Sequence, residues 1–124
     1  MKFLILYLNI LICFPSLLDQ VRKEVVEQSL NKLPPRNTID ILKMFIEMSN
    51  VQKENSLNDA ESAYFAYKWI TYNIKYDCRD GKFGNISNIP ATIYKEGKGG
   101  VIGFSSLFNM ICGFFNIESG PIFG

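Results

Sequence analysis

Residues 97–120, GKGGVIGFSSLFNMICGFFNIESG, restrict the fold most, because a glycine-rich turn there leads directly into a strongly apolar segment. The segment predicts a helix that begins at Val101 and packs its phenylalanines into a core. Many enzymes place a nucleophile where a glycine turn meets a helix, since unpaired N–H groups and the helix dipole stabilise an anion there. Valine has no nucleophilic atom, so this position lacks the group that such chemistry requires.

The whole chain is short and contains no histidine. A length of 124 residues allows one domain, and a hydrophobic fraction of 48% indicates a packed globule instead of disorder. The net charge of +1, with acidic and basic residues interspersed, argues against a nucleic-acid partner. Without imidazole there is no ordinary Cys–His or Ser–His couple, and the commonest zinc ligand is missing. We therefore predict no metal and no other cofactor.

Residues 1–18 are predicted to be a signal peptide that directs the chain into the secretory pathway. Lys2 precedes an apolar run from Phe3 to Phe14, which is short for a membrane span and typical of the hydrophobic part of such a leader. The alternative is that this run remains as an N-terminal membrane anchor. If the leader is removed, the mature chain is secreted and has no stable membrane span.

Secretion changes the interpretation of the cysteines and of one asparagine. Cys13 leaves with the leader, and Cys78 and Cys112 remain as an even pair that could form one disulfide in an oxidising compartment. The alternative makes Cys112 a small buried hydrophobic residue of the last helix. Asn85, in the sequence NIS, is the candidate for N-linked glycosylation.

Residues 19–55 form a predicted N-terminal region of two amphipathic helices. The first covers residues 20–33 and is stopped by Pro34 and Pro35. The second covers residues 38–50. The predicted core-facing residues are Val21, Val25, Val26 and Leu30 in the first helix and Ile39, Leu42, Phe45 and Ile46 in the second.

The longest predicted helix begins near Asn58, where Glu61 three residues later completes a capping box. Tyr76 and Asp77 are predicted to close this helix, and Pro90 is predicted to open a short turn before the glycines. The predicted inward stripe is Ala63, Ala66, Ile70, Asn73 and Trp69, the last as a core anchor.

Two segments together resemble the transglutaminase-like superfamily, in particular its kyphoscoliosis-type peptidase branch. They are AYKWITYNIKYD at residues 66–77 and GKGGVIGFSSLFNMICGFFNIESGPIFG at residues 97–124. In that family a helix ending in a WI..NI.YD pattern precedes a GKGVC.GY..LF motif, whose cysteine begins the central helix and is the nucleophile. The residues that match the second motif are Lys98, Gly99, Gly103, Phe104, Leu107, Phe108, Met110, Cys112, Ile117 and Gly124.

The resemblance implies an α+β fold like that of papain-like proteases, of which residues 56–124 would hold the helical half and only the start of the sheet. A mostly α-helical chain is therefore expected. Val101 stands at the position of the catalytic cysteine, and the strands that carry the family's His and Asp do not occur before Gly124. The resemblance thus implies a truncated, degenerate domain without catalytic residues, in which neither Cys78 nor Cys112 lies where it could replace the nucleophile.

Three functions are compatible with these patterns. The first is a secreted, non-catalytic binding or scaffolding protein with a protein or peptide partner, at the former substrate groove or at the sheet edge begun by residues 120–124. The second is an active transglutaminase-like cysteine peptidase or acyltransferase of which this chain is an incomplete record. The third, without any family, is a small secreted helical protein of unknown partner. An incompletely covered core helix also predicts self-association.

Overall fold

The computed structural model describes residues 21–77 and 89–117, and within them the chain is mostly helical with two short parallel strands. This confirms the expected mostly α-helical chain and is compatible with the α+β class. The predicted signal peptide, Cys78, Asn85 and residues 118–124 lie outside the described residues. In chain order the elements are α1 (Lys23–Asn31), α2 (Ile41–Glu54), α3 (Asp59–Asn73), β1 (Lys75–Tyr76), α4 (Pro90–Glu96), β2 (Lys98–Gly99) and α5 (Val101–Phe114).

Helix α1 forms within the predicted segment 20–33 but is shorter than predicted. It ends at Asn31, ahead of Pro34 and Pro35, whose rings and missing N–H groups do not allow a helix to continue. The predicted inward side is confirmed, because Val21 and Val26 are buried and Val25 and Leu30 pack partly buried against the core.

Helix α2 begins at Ile41 because the Asp40 side chain caps it, accepting a hydrogen bond from the Lys43 backbone N–H at 2.9 Å. The predicted core side is wrong at two positions, since Leu42 and Ile46 are 56% and 48% exposed. Leu42 and Ile46 lie at one edge of an apolar arc that is wider than the buried side, so the apolar spacing does not show where the buried side ends. The residues that α2 buries are Met44, Phe45, Met48, Ser49 and Val51.

Helix α3 carries the predicted capping box. The Asn58 side chain accepts a hydrogen bond from the Glu61 backbone N–H at 2.8 Å, and the Glu61 carboxylate accepts one from the Asn58 backbone N–H at 3.0 Å. Trp69 is buried and stacks on Tyr94 of α4 with ring centroids 6.1 Å apart, which confirms its role as a core anchor. Of the other predicted inward residues, Ala63, Ala66 and Ile70 are buried and Asn73 is half-buried.

Strands β1 and β2 pair in parallel, with Tyr76 opposite Gly99. The prediction that Tyr76 and Asp77 close α3 is wrong, because the helix ends at Asn73 and Tyr76 belongs to β1. Ile74, the residue that follows the helix, is already in an extended conformation and starts the chain toward the strand. Since each strand has only two residues, no alternating pattern could have predicted them.

Helix α4 replaces the short turn that was predicted at Pro90. Pro90 is the first residue of this seven-residue helix, a position where the missing N–H of proline costs nothing and its fixed φ suits the helix. The helix ends at Glu96, and its C-cap residue is Gly97, whose φ of 73° is left-handed. Glycine adopts this conformation without the steric penalty of other residues.

Helix α5 begins at Val101, as predicted, and contacts α2, α3 and α4. It therefore lies at the centre of the described fold. Of its predicted core phenylalanines, Phe108 and Phe115 are buried, and Phe104 and Phe114 pack partly buried against the same hydrophobic cluster.

Candidate functional site

The junction of β2 and α5 is the place where the resemblance positions a nucleophile. Gly100 is the N-cap of α5 in an extended conformation and, as a glycine, has no side chain with which to cap the helix. The first N–H groups of a helix have no partner within it, and together with the dipole they favour an anion. Val101, the first helical residue, is half-buried at this point. The backbone therefore has the form of an anion-stabilising helix start, but its first side chain is inert.

The side chains around this helix start are mainly aromatic. Tyr76 of β1 meets the Phe104 ring edge-on, with centroids 5.8 Å apart. The Asp77 backbone N–H donates to the Gly99 carbonyl at 2.9 Å, which extends the pairing of the two strands to the start of α5. The two segments that carry the family resemblance are thus in direct contact at this junction.

A polar clamp fixes the glycine turn that leads into the junction. Arg36 Nη1 donates to the Tyr94 carbonyl at 2.6 Å and to the Lys95 carbonyl at 3.1 Å, and Asn37 Nδ2 donates to the Lys95 carbonyl at 2.9 Å. These donors satisfy the last carbonyls of α4 and place a positive charge at the negative end of its dipole. A Cβ at Gly97 would lie 2.6 Å from Arg36 Nη2, so a larger residue would have to displace the Arg36 side chain as well as adopt the left-handed φ of 73°.

Cys112 lies in the interior of α5, away from the helix start. Its side chain is completely buried, and burial raises the pKa of the thiol to about 12. Because the thiolate is the reactive form, this thiol is a poor nucleophile near neutral pH. The burial of Cys112 agrees with the alternative that makes it a small hydrophobic residue of the last helix. Its candidate disulfide partner Cys78 lies outside the described residues, so the bridge stays a prediction.

The structure contains an ion pair between Arg22 and Glu61 that the sequence does not predict. The Glu61 side chain is completely buried, and Arg22 Nε and Nη2 donate to its two oxygens at 2.7 and 2.9 Å. The Arg22 backbone N–H adds a third bond at 2.8 Å. These bonds lower the pKa of Glu61 to about 2 despite its burial. The partners are 39 residues apart, so the local capping-box pattern identifies Glu61 but not Arg22.

A cavity of about 270 Å³ lies between α1, the proline pair that follows it and α3. No sequence pattern predicts it, because its walls come from segments that are distant in the chain. Trp69 and Asn73, predicted as inward-facing residues, form part of its lining. The residues that line it include Glu27, Leu30, Pro34, Trp69, Tyr72 and Asn73.

Comparisons of the sequence with protein-family models and with curated proteins, and of the fold with solved structures, find no match. Within residues 21–77 and 89–117, no group of three or more His, Cys, Asp or Glu side chains is arranged to hold a metal ion. Among the helices of these two ranges, none is both long enough and apolar enough to cross a membrane.

Proposed function

We propose that this chain is a secreted, non-catalytic protein built on a degenerate transglutaminase-like domain, with a binding or scaffolding role. The observation that carries the proposal is the position of Val101, which is the first residue of a 14-residue helix whose N-cap residue is Gly100. A cysteine at such a position gains thiolate character from the N–H groups and the dipole, whereas valine gains nothing.

The contact between the two resembling segments also supports this proposal. Residues 66–77 include the second half of α3 and β1, and residues 97–117 include β2 and α5. Their strands pair, their helices pack against each other, and Tyr76 contacts Phe104 across the junction. The motifs are therefore neighbours in space, as a shared site would require.

The chemistry of the chain supports a role without catalysis. Its 124 residues contain no histidine, so no imidazole is present to accept the proton of a thiol or to protonate a leaving group. Cys112 is buried with its pKa raised to about 12. A domain of this kind keeps the shape around the substrate site without the groups that transfer an acyl chain.

We expect the purified mature chain to show neither amide hydrolysis nor incorporation of an amine into glutamine-containing peptides. Both reactions are measured with and without a thiol alkylator, and a Cys78→Ser variant controls for simple alkylation of that residue. Slow modification of Cys78 without turnover agrees with the proposal. Turnover that the alkylator abolishes would instead favour the active cysteine enzyme.

Expression in a eukaryotic secretory host tests the proposed localisation. The secreted chain is expected to begin between Leu17 and Gln20 and to carry a glycan at Asn85, because the leader and the NIS sequence both direct this processing. N-terminal sequencing and gel mobility check the two events, with Asn85→Gln as the matched control. An N-terminus still at Met1 in a membrane fraction would support the anchor, and unchanged mobility of Asn85→Gln would show that the acceptor is unused.

A further inference from the structure

We propose that the cavity between α1 and α3 binds an alkylammonium group, either the side chain of a lysine in a partner peptide or a small free amine. The site uses residues other than those of the Val101 junction and does not depend on the function proposed for the domain. Its volume of about 270 Å³ lies just below the roughly 300–1,000 Å³ of pockets for drug-sized ligands. The occupant is therefore about as large as one side chain.

The charge of the cavity selects a cation. Among the described residues that line it, Glu27 alone is charged. Glu27 Oε1 accepts a hydrogen bond from the Tyr72 hydroxyl at 2.9 Å, which holds the carboxylate beside an aromatic ring and leaves Oε2 to accept from a ligand. A carboxylate held at the hydroxyl end of a tyrosine can pair with an ammonium group, and the face of the same ring can attract it as well.

The basic residues that flank the cavity in the chain are engaged elsewhere. Lys32, just after α1, donates from Nζ to Asn55 Oδ1 at 2.9 Å. Arg36, directly after the proline pair, donates to the carbonyls of Tyr94 and Lys95. Neither side chain pairs with Glu27, and no ion pair links Glu27 to any described basic residue, Lys23 of the same helix included, so its negative charge is available to a ligand.

The remaining walls suit the other parts of such a ligand. Asn73 Nδ2 donates to the Trp69 carbonyl at 2.9 Å, so the amide oxygen of Asn73 is the end that can accept from an ammonium. Leu30 and Pro34 supply apolar surface for the carbon chain. The Tyr72 ring already attracts one ammonium, because Lys68 Nζ lies 5.2 Å from its centroid, and Lys68 is therefore expected to compete with the ligand.

The test is a titration of the folded chain with Nα-acetyl-lysine N-methylamide. Trp69 is the only tryptophan of the chain and lines the cavity, so its fluorescence reports occupancy directly. The neutral Nε-acetylated form of the same compound is expected to bind at least fivefold more weakly, since it lacks the charge. n-Butylamine is titrated in parallel. If it binds as tightly as the lysine compound, the ligand is a small amine, and if it binds more weakly, the ligand is a lysine of a peptide.

Two charge variants give opposite expected shifts. Glu27→Gln should weaken binding at least fivefold while its amide oxygen can still accept from Tyr72, and Lys68→Met should strengthen binding about twofold by removing the competing cation. Glu24→Gln, on the exposed side of the same helix, changes the net charge equally and should leave affinity unchanged. The proposal is overturned if Glu27→Gln raises the affinity, if Glu24→Gln lowers it as much as Glu27→Gln does, or if the neutral compound binds as tightly as the charged one. The absence of binding at millimolar concentration would also overturn it.

Discussion

Among single residues, Glu61 connects the first described residues to α3. Its buried carboxylate accepts from Arg22 Nε, Nη2 and backbone N and from Asn58 N, so one side chain joins the capping box to a distant segment. Glu61→Gln replaces one acceptor oxygen by an NH₂ group that faces donors. We expect this to lower the free energy of unfolding by about 2 kcal/mol, measured by urea denaturation, a modest loss for a buried pair because Arg22 is half exposed.

The pH dependence of unfolding distinguishes this pair from a neutral packing effect. The pKa of Glu61 falls from an ordinary 4.5 to about 2 in the folded chain, so the pair's stabilisation is fully present above pH 4.5 and is lost as the pH falls through about 2. The difference between wild type and Glu61→Gln should therefore shrink across that window. Glu47→Gln, at an exposed position in the middle of α2, is the control and should unfold like wild type. A difference that stays constant down to pH 2 would contradict the ionic role of Glu61.

Among the elements, the start of α5 offers a direct test of the backbone environment around Val101. Val101→Cys should give a thiol whose pKa lies below that of a free cysteine, because the first N–H groups and the dipole of α5 favour the thiolate. The pKa is measured from the pH dependence of alkylation in a Cys78→Ser background, where the buried Cys112 does not interfere. No substrate turnover is expected, since the chain contains no histidine to transfer the proton.

Ser106→Cys is the matched control for this measurement. Ser106 is a half-buried position of the same helix but lies beyond its first turn, where the effect of the dipole has fallen off. Its thiol should titrate with a higher pKa than the thiol at position 101. Equal pKa values at both positions would show that the helix start does not stabilise a thiolate. Substrate turnover by Val101→Cys alone would contradict the requirement for a histidine.

The elements also show how far the sequence alone predicts this fold. The start of α3 is predictable because its capping box lies within four residues, and the start of α5 because a glycine turn precedes an apolar run. The buried side of α2 is not, since Leu42 and Ile46 are as apolar as the residues that the core selects. At the candidate site, the sequence predicts Val101 at the helix start. The Arg36 clamp and the cavity beside Glu27 depend on contacts between distant segments, which local patterns do not contain.

For the whole molecule, the described helices share one hydrophobic cluster centred on α5. A core of this size gives a net stability of only a few kcal/mol, since burial and conformational entropy nearly cancel. We therefore expect α1 to α5 to unfold together rather than as separate regions. The Arg22–Glu61 pair and the Arg36 clamp strengthen this coupling, because each joins the N-terminal region to a later element.

The outer side of α5 is the part of the molecule where self-association is expected. The helix contains no charged residue, Ile102 on it is 48% exposed, and a Cβ at Gly113 would meet nothing within 4 Å. An uncharged, open helix surface favours contact with a second copy of the chain. Sedimentation and thermal melts at several protein concentrations should show association and a concentration-dependent midpoint.

Ile102→Glu and Leu42→Glu together decide whether α5 carries this association. Each puts a negative charge in the first turn of a helix, where the dipole favours it, so neither change should destabilise the monomer. Leu42 is 56% exposed on α2 and Ile102 is 48% exposed on α5, which makes the two changes closely matched. Association should fall at least fivefold in Ile102→Glu and stay at the wild-type level in Leu42→Glu. An equal fall of association in both variants would mean that net charge controls it. A wild-type chain that melts sharply at the same temperature at every concentration would mean that the helices around α5 are stable as a monomer and do not associate.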